Sequence, residues 1–161
     1  MKVFVSGSIS ITFLTNAVQE RLENMIRNNL TVIIGDAGGV DTAVQKFLSE
    51  RHYPNVVVYS VGSHVRANYG QWPIHHVDDC GLQGRAKFTL KDVEMAKDAN
   101  FGMMVWDGKS KGTLANIQEM QKLGKRFCVA IDGKFVSDID INAYIKSSNS
   151  IVREQQEVLA I

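Results

Sequence analysis

Short apolar runs alternate with amphipathic stretches along most of this chain. Val3-Phe4-Val5, Thr31-Val32-Ile33-Ile34, Val56-Val57-Val58-Tyr59, residues 101–106 and residues 126–131 read as strands buried on both faces, because they are apolar throughout. Between them apolar side chains recur at spacings of three and four. Leu14, Val18, Leu22, Met25 and Ile26 mark a helix over about 14–28, and Val40, Val44, Phe47 and Leu48 mark a second. Val93, Met95 and Ala96 mark a third, running to about residue 98, and Ile117, Met120 and Leu123 a fourth, which Gly124 ends. This alternation predicts an α/β fold: a Rossmann-like three-layer α/β/α arrangement around a five-stranded, mainly parallel sheet in the order 3-2-1-4-5. In that order the sheet reverses direction of growth between strands one and four. Ligands of such sheets bind at the carboxyl ends beside that switch point.

Two regions escape the pattern. Residues 60–88 show no sustained period and read as a long functional lid. After a tight turn at Asp132-Gly133 and a possible short strand over 134–136, residues 137–161 read as two short helices, the last with Val152, Val158 and Leu159. Residues 1–161 are therefore expected to form one domain with 132–161 as a short C-terminal helical extension, covering a sheet edge or joining a homo-oligomer interface.

Composition narrows the partners. Eighteen Lys and Arg against seventeen Asp and Glu leave a formal charge of +1, from which no broad nucleic-acid surface is expected. The amino terminus reaches Gly7 too early for a signal-peptide core, and no run approaches membrane-spanning length, so a cytoplasmic chain with no membrane partner is expected. Cys80 and Cys128 lack disulfide or zinc spacing, and Cys128 sits in the apolar run 127–131 as a small core residue.

The turns at the strand ends hold the candidate chemistry. Gly7-Ser8 closes the first strand, where a ligand can approach the backbone. Gly35-Asp36-Ala37-Gly38-Gly39-Val40-Asp41-Thr42 closes the second, and it fits neither the dinucleotide fingerprint nor the P-loop. Asp36 or Asp41 there either favours the helix N-terminus or contacts a ligand. In Trp106-Asp107-Gly108-Lys109-Ser110-Lys111-Gly112-Thr113-Leu114-Ala115-Asn116 a helix opens on a basic turn. The amides of Gly112 and Thr113 are expected to hold phosphate there, with Asp107 accepting from a sugar hydroxyl. Within 60–88, Tyr69 and Trp72 offer stacking faces and Arg85 can pair with phosphate bidentately. Thr89-Leu90-Lys91-Asp92 reads as a helix start with Asp92 in a capping role. His75-His76-x-Asp78-Asp79-Cys80 has metal-ligand types at no standard spacing, so neither a metal nor a cofactor is expected.

Gly7-Ser8, Gly35-x-Ala37-x-Gly39-Val40-Asp41, an arginine and Ala-Lys-Asp-Ala-Asn before strand four, then Asp107-Gly108-x-Ser110-x-Gly112-Thr113, resemble in order the SLOG nucleotide-binding superfamily. That superfamily includes the Lonely Guy phosphoribohydrolases and the Rossmann-like domain of DNA-processing protein A. Nucleoside deoxyribosyltransferases are a more distant likeness. The resemblance covers about residues 1–131. It implies a small-molecule nucleotide, nucleoside or sugar-phosphate ligand, without a metal, at loops holding Gly7, Ser8, Gly35, Ala37, Gly38, Gly39, Asp41, Asp107, Gly108, Ser110, Gly112 and Thr113.

Three residues after the threonine, where the phosphoribohydrolases carry a catalytic Glu, stands Asn116, and their Pro-Gly-Gly start is replaced by Trp106-Asp107-Gly108. Asn cannot ionise. Three functions stay open: nucleotide binding or sensing without turnover, an N-glycoside hydrolase or transferase whose acid is Asp41, Asp92 or Glu94, and a non-catalytic interaction subunit.

Overall fold

The computed structural model describes residues 1–159, so Ala160 and Ile161, the last two residues of the expected extension, lie outside the described residues. The elements run β1 (Lys2–Gly7), α1 (Asn16–Arg27), β2 (Thr31–Gly35), α2 (Val40–Glu50), β3 (Val56–Val61), β4 (Ile74–Val77), α3 (Gly84–Asp98), β5 (Phe101–Val105), α4 (Lys111–Lys122), β6 (Arg126–Ile131), β7 (Lys134–Ser137) and α5 (Ile141–Leu159). They build one mostly parallel sheet of seven strands, not five, in the order β4-β3-β2-β1-β5-β6-β7. β1 pairs in parallel with both β2 and β5, which puts the switch point between β1 and β5.

Alternation within each strand divides the core. Val3, Val5, Val32, Ile34, Met103 and Val105 face the layer of α1 and α2, packing on Val18, Leu22, Val44 and Leu48. Phe4, Ile33, Met104, Phe127 and Val129 face the opposite layer, where Met95, Ile117, Met120 and Ile141 cover them. Each of these fully buried side chains contributes about 1.5–3 kcal/mol of transfer free energy, which is why both strand faces are apolar.

The two extra strands explain where the pattern failed. β4 pairs in parallel with β3 at the sheet edge, and its Ile74-His75-His76-Val77 buries only Val77, so it shows no apolar run. Residues 60–88 are thus no structureless lid: they hold the end of β3, all of β4 and the first turns of α3. α3 begins at Gly84, five residues before the expected start at Thr89, whose hydroxyl instead donates to the Arg85 carbonyl within the helix. Beyond β6, Asp132 and Gly133 both take positive φ (50° and 74°), the signature of the tight hairpin turn that returns β7 antiparallel on β6.

The extension is therefore partly sheet, and the two expected C-terminal helices are one. Ser147-Ser148-Asn149-Ser150 does not break α5, because Ser147 and Ser148 donate to the Tyr144 carbonyl and Ser150 to that of Lys146. No helix among the described residues is long and apolar enough to cross a membrane.

Candidate functional site

At the carboxyl ends of β1, β2 and β5 three turns meet. The end of β1 lies so close to its neighbours that a Cβ at Gly7 would stand 2.3 Å from the Val105 carbonyl oxygen and 2.6 Å from Val40 Cγ2. The buried Ser8 ties the turns together. Its carbonyl accepts the amides of Ile11 and Val40, its hydroxyl accepts the Asp107 amide at 3.0 Å, and it lies 3.3 Å from the Thr113 hydroxyl. Gly39, at φ +67°, packs directly on the backbone of Ile9, so the β2–α2 turn presses against the β1 loop.

A cleft of about 420 Å³ opens between these turns and one side of α3. Of the residues expected at a site, Gly7, Ala37, Asp41, Arg85, Asp92, Ser110, Gly112, Thr113 and Asn116 line it. Ser8, Gly35, Gly38, Gly39 and Asp107 belong to the same turns but do not line it, Asp107 facing a separate small cavity. Gly108 lines that cavity with Ile131 and Tyr144. Three more expected residues are elsewhere: Tyr69 lines another surface pocket with Ser49 and Gly70, and the others are Trp72 and Glu94. Trp72 is buried in the core of the α1 and α2 face and donates its ring N–H to the Tyr53 carbonyl, so it cannot stack on a ligand here. Glu94 points to the edge strand and pairs with His75 Nε2 at 2.8 Å.

Ser6, Ile9, Phe88, Thr89 and Lys91 also line the cleft and were not expected at a site, and Arg66, from the 60–88 segment whose planar and hydrogen-bonding side chains suggested a ligand contact, lines it too. A signal for part of this was present. Arg85, Phe88, Thr89 and Asp92 stand at i, i+3, i+4 and i+7, the spacing that places them on one side of a helix, a mostly polar stripe that lines the cleft.

Charge is concentrated at the floor. Lys91, 5% exposed at its side chain, holds Asp92 at 2.8 Å, so Asp92 is an ion-pair partner and not a helix cap. Burial works against the lysine's charge, but the neighbouring charges of Asp92 and Asp41 outweigh it and raise its pKa. Asp41 is fully enclosed. Burial pushes its carboxyl up to about 6, with Asp92 and Asp36 adding to the rise and Lys91 and the Ala37 amide opposing it. Gly35 has no side chain at the point where a Cβ would lie 2.5 Å from Asp41 Oδ2 and 2.7 Å from Lys91 Nζ. Asn116 donates to the Ser6 hydroxyl at 3.1 Å.

The remaining two acids serve the frame. Asp36 accepts from Ser60, from the Arg66 amide and from the Arg66 guanidinium. Burial opposes its ionisation, yet the hydrogen bonds and charge of Arg66 hold its pKa below the ordinary value. Asp107 accepts from the Ser10 hydroxyl and from the amides of Lys109 and Ser110. These bonds overcome its partial burial and bring its carboxyl down to about 2, and they occupy oxygens expected to meet a sugar hydroxyl.

At the start of α4 the Ser110 hydroxyl already accepts the Thr113 amide at 3.4 Å, so the expectation for that amide fails. The amides of Lys111 and Gly112 have no carbonyl within the helix to receive them, and Arg85 Nη2 would lie 3.8 Å from a Cβ at Gly112. Arg85 has no carboxylate partner among the described residues. A cation and a helix N-terminus facing one space can hold an anion.

The metal-ligand types in 75–80 do not gather as one set. Among the described residues, the group whose donor atoms all fall within 4.8 Å of one another is His75, Glu94 and Asp98.

No protein-family model matches the chain, and no curated protein matches it significantly. Its fold is similar to a solved structure of DNA processing protein A from Helicobacter pylori, described for its unique single-stranded DNA binding mode, at a TM-score of 0.60 and 16% identity. The likeness covers 80% of this chain but 64% of that one, so the chain spans less than two thirds of the other's length. It supports a Rossmann-like α/β fold. It also overturns the expectation of no broad nucleic-acid surface: that protein binds single-stranded DNA, so a near-neutral total charge is no ground for the exclusion. Net charge sums the whole molecule, whereas nucleic acid meets the local distribution.

Proposed function

We propose that this chain is a nucleotide-binding protein of the SLOG type that holds the phosphate of its ligand at the cleft between β1, β5 and α3. The observation that carries this is Arg85, with no carboxylate partner among the described residues, set against the first turn of α4 beside an open volume of about 420 Å³. That volume lies within the range of small-ligand pockets. The phosphate comes either from a free mononucleotide or from a unit of single-stranded DNA, and the likeness in fold to DNA processing protein A makes the strand the first polymer to test. Calorimetric titration with adenosine 5′-monophosphate and with a short oligodeoxythymidylate separates the two sources. Binding of either that weakens as salt rises is expected for a phosphate-dominated contact. Absence of binding by both refutes the proposal.

A second reading, N-glycoside cleavage, is favoured by Asp41, a carboxyl at about 6 within the cleft beside Lys91 and Asp92. A group titrating there suits proton transfer near neutrality. Glu94, turned away to His75, is no part of it. Release of free base from a nucleoside monophosphate, lost in Asp41→Asn, is its test. No release by the native chain leaves the binding role alone.

A further inference from the structure

The cleft also holds a planar pair that neither phosphate binding nor the acid cluster uses. The Arg66 guanidinium carbon lies 4.1 Å from the centroid of the Phe88 ring, and both residues line the cleft. Arg66 is fixed before any ligand arrives: Nη2 and Nε donate to Asp36 Oδ1 at 2.7 and 3.3 Å, and its backbone amide donates to Oδ2 of the same carboxylate. Asp36 is itself buried, with 1% of its side chain exposed. The charge of Arg66 is therefore answered from behind by Asp36, which makes Arg66 a weak phosphate site, whereas Arg85 has no carboxylate partner among the described residues. What the pair offers the cleft is the open part of Phe88, 36% exposed and backed by a fixed guanidinium over its ring, at little further cost in side-chain entropy.

We infer that Phe88 and Arg66 form the base subsite: the planar base of a nucleotide packs against this pair while its phosphate lies at Arg85 and Gly112. This rests on the nucleotide reading of the cleft and adds the part of the ligand that reading does not place. Recognition of this kind reads a π face and an area, not a hydrogen-bond pattern, so it tolerates any base and holds purines more tightly than pyrimidines.

The test compares adenosine 5′-monophosphate with ribose 5-phosphate, which keeps the sugar and phosphate but has no base. The native chain is expected to bind the nucleotide about tenfold or more tightly, the range of base–aromatic stacking. Phe88→Leu, which keeps apolar bulk but removes the plane, and Arg66→Lys, which keeps charge but removes the plane, should each bring the ratio toward one. Phe88→Tyr restores the ring and should retain the preference. If the native chain binds both ligands equally, or Phe88→Leu keeps the preference, the base subsite is refuted and the phosphate site stands. If neither ligand binds the native chain, the base subsite is refuted, and the phosphate site falls with it only when oligodeoxythymidylate also fails to bind.

Discussion

The hydroxyl of Ser8 accepts the backbone amide of Asp107 at 3.0 Å, across 99 residues of sequence. That bond fastens the turn after β1 to the turn after β5, at the place where the sheet changes direction of growth. Ser8→Ala leaves a partly buried amide without its acceptor, a loss of about 1 kcal/mol or more. Urea unfolding measures it. An unchanged midpoint would mean that the two turns are held by something else.

Gly7 and Gly35 make contrasting demands. A methyl group at Gly7 meets the Val105 carbonyl, which the sheet fixes, whereas at Gly35 it meets the ends of Asp41 and Lys91, which can swing aside. Gly7→Ala should therefore destabilise by about 1–3 kcal/mol, as overpacking does, and Gly35→Ala by less. The second variant should instead disturb the acid cluster. Thermal melts of the two proteins decide the order, and a reversed order contradicts the packing described.

Asp41 gives the cleft a pH signature. Its carboxyl stands at about 6 when folded against 3.8 when exposed, so between those values the unfolded chain releases a proton that the folded chain keeps. The contribution is full below about pH 3.8 and is lost as pH rises through about 6. The difference of about two units corresponds to ~3 kcal/mol. Asp36 and Asp107, both held below the ordinary value, run the other way and lose their contribution on acidification. Asp41→Asn cannot titrate, so its stability relative to the native chain should rise by ~3 kcal/mol from about pH 4 to about pH 7. Parallel stability profiles would contradict the burial of a protonatable Asp41.

The inner strands and the three turns were legible because each strand is apolar on both faces and stops at a glycine or an acid. Val3-Phe4-Val5 before Gly7 and Thr31-Val32-Ile33-Ile34 before Gly35 carry that signal without help from distant residues. β4 was not legible, since an edge strand with three of four residues outside the core has no pattern to show. Nor was the burial of Trp72, which depends on a partner nineteen residues away at the Tyr53 carbonyl. Lys91 was hidden for a related reason. A lysine in a polar helix reads as surface until the fold sets Asp92 and Asp41 around it.

The chain's two tryptophans, Trp72 and Trp106, give a direct optical check. Trp72 is sealed in the core away from the cleft, while the Trp106 ring donates to the Ser110 carbonyl at the cap of α4. Any fluorescence change on nucleotide or strand binding should persist in Trp72→Phe and largely disappear in Trp106→Phe. The opposite assignment would return the ligand to the Trp72 side of the sheet.

Backbone amide spectra of the isotopically labelled chain, titrated with adenosine 5′-monophosphate and with oligodeoxythymidylate, test the phosphate site most directly. The amides of Lys111 and Gly112 should shift first and furthest, with Arg85→Ala weakening the response about tenfold or more, the scale of a lost charge-assisted hydrogen bond. Saturable shifts elsewhere that leave Lys111 and Gly112 unmoved, or no shifts with either ligand, would contradict it.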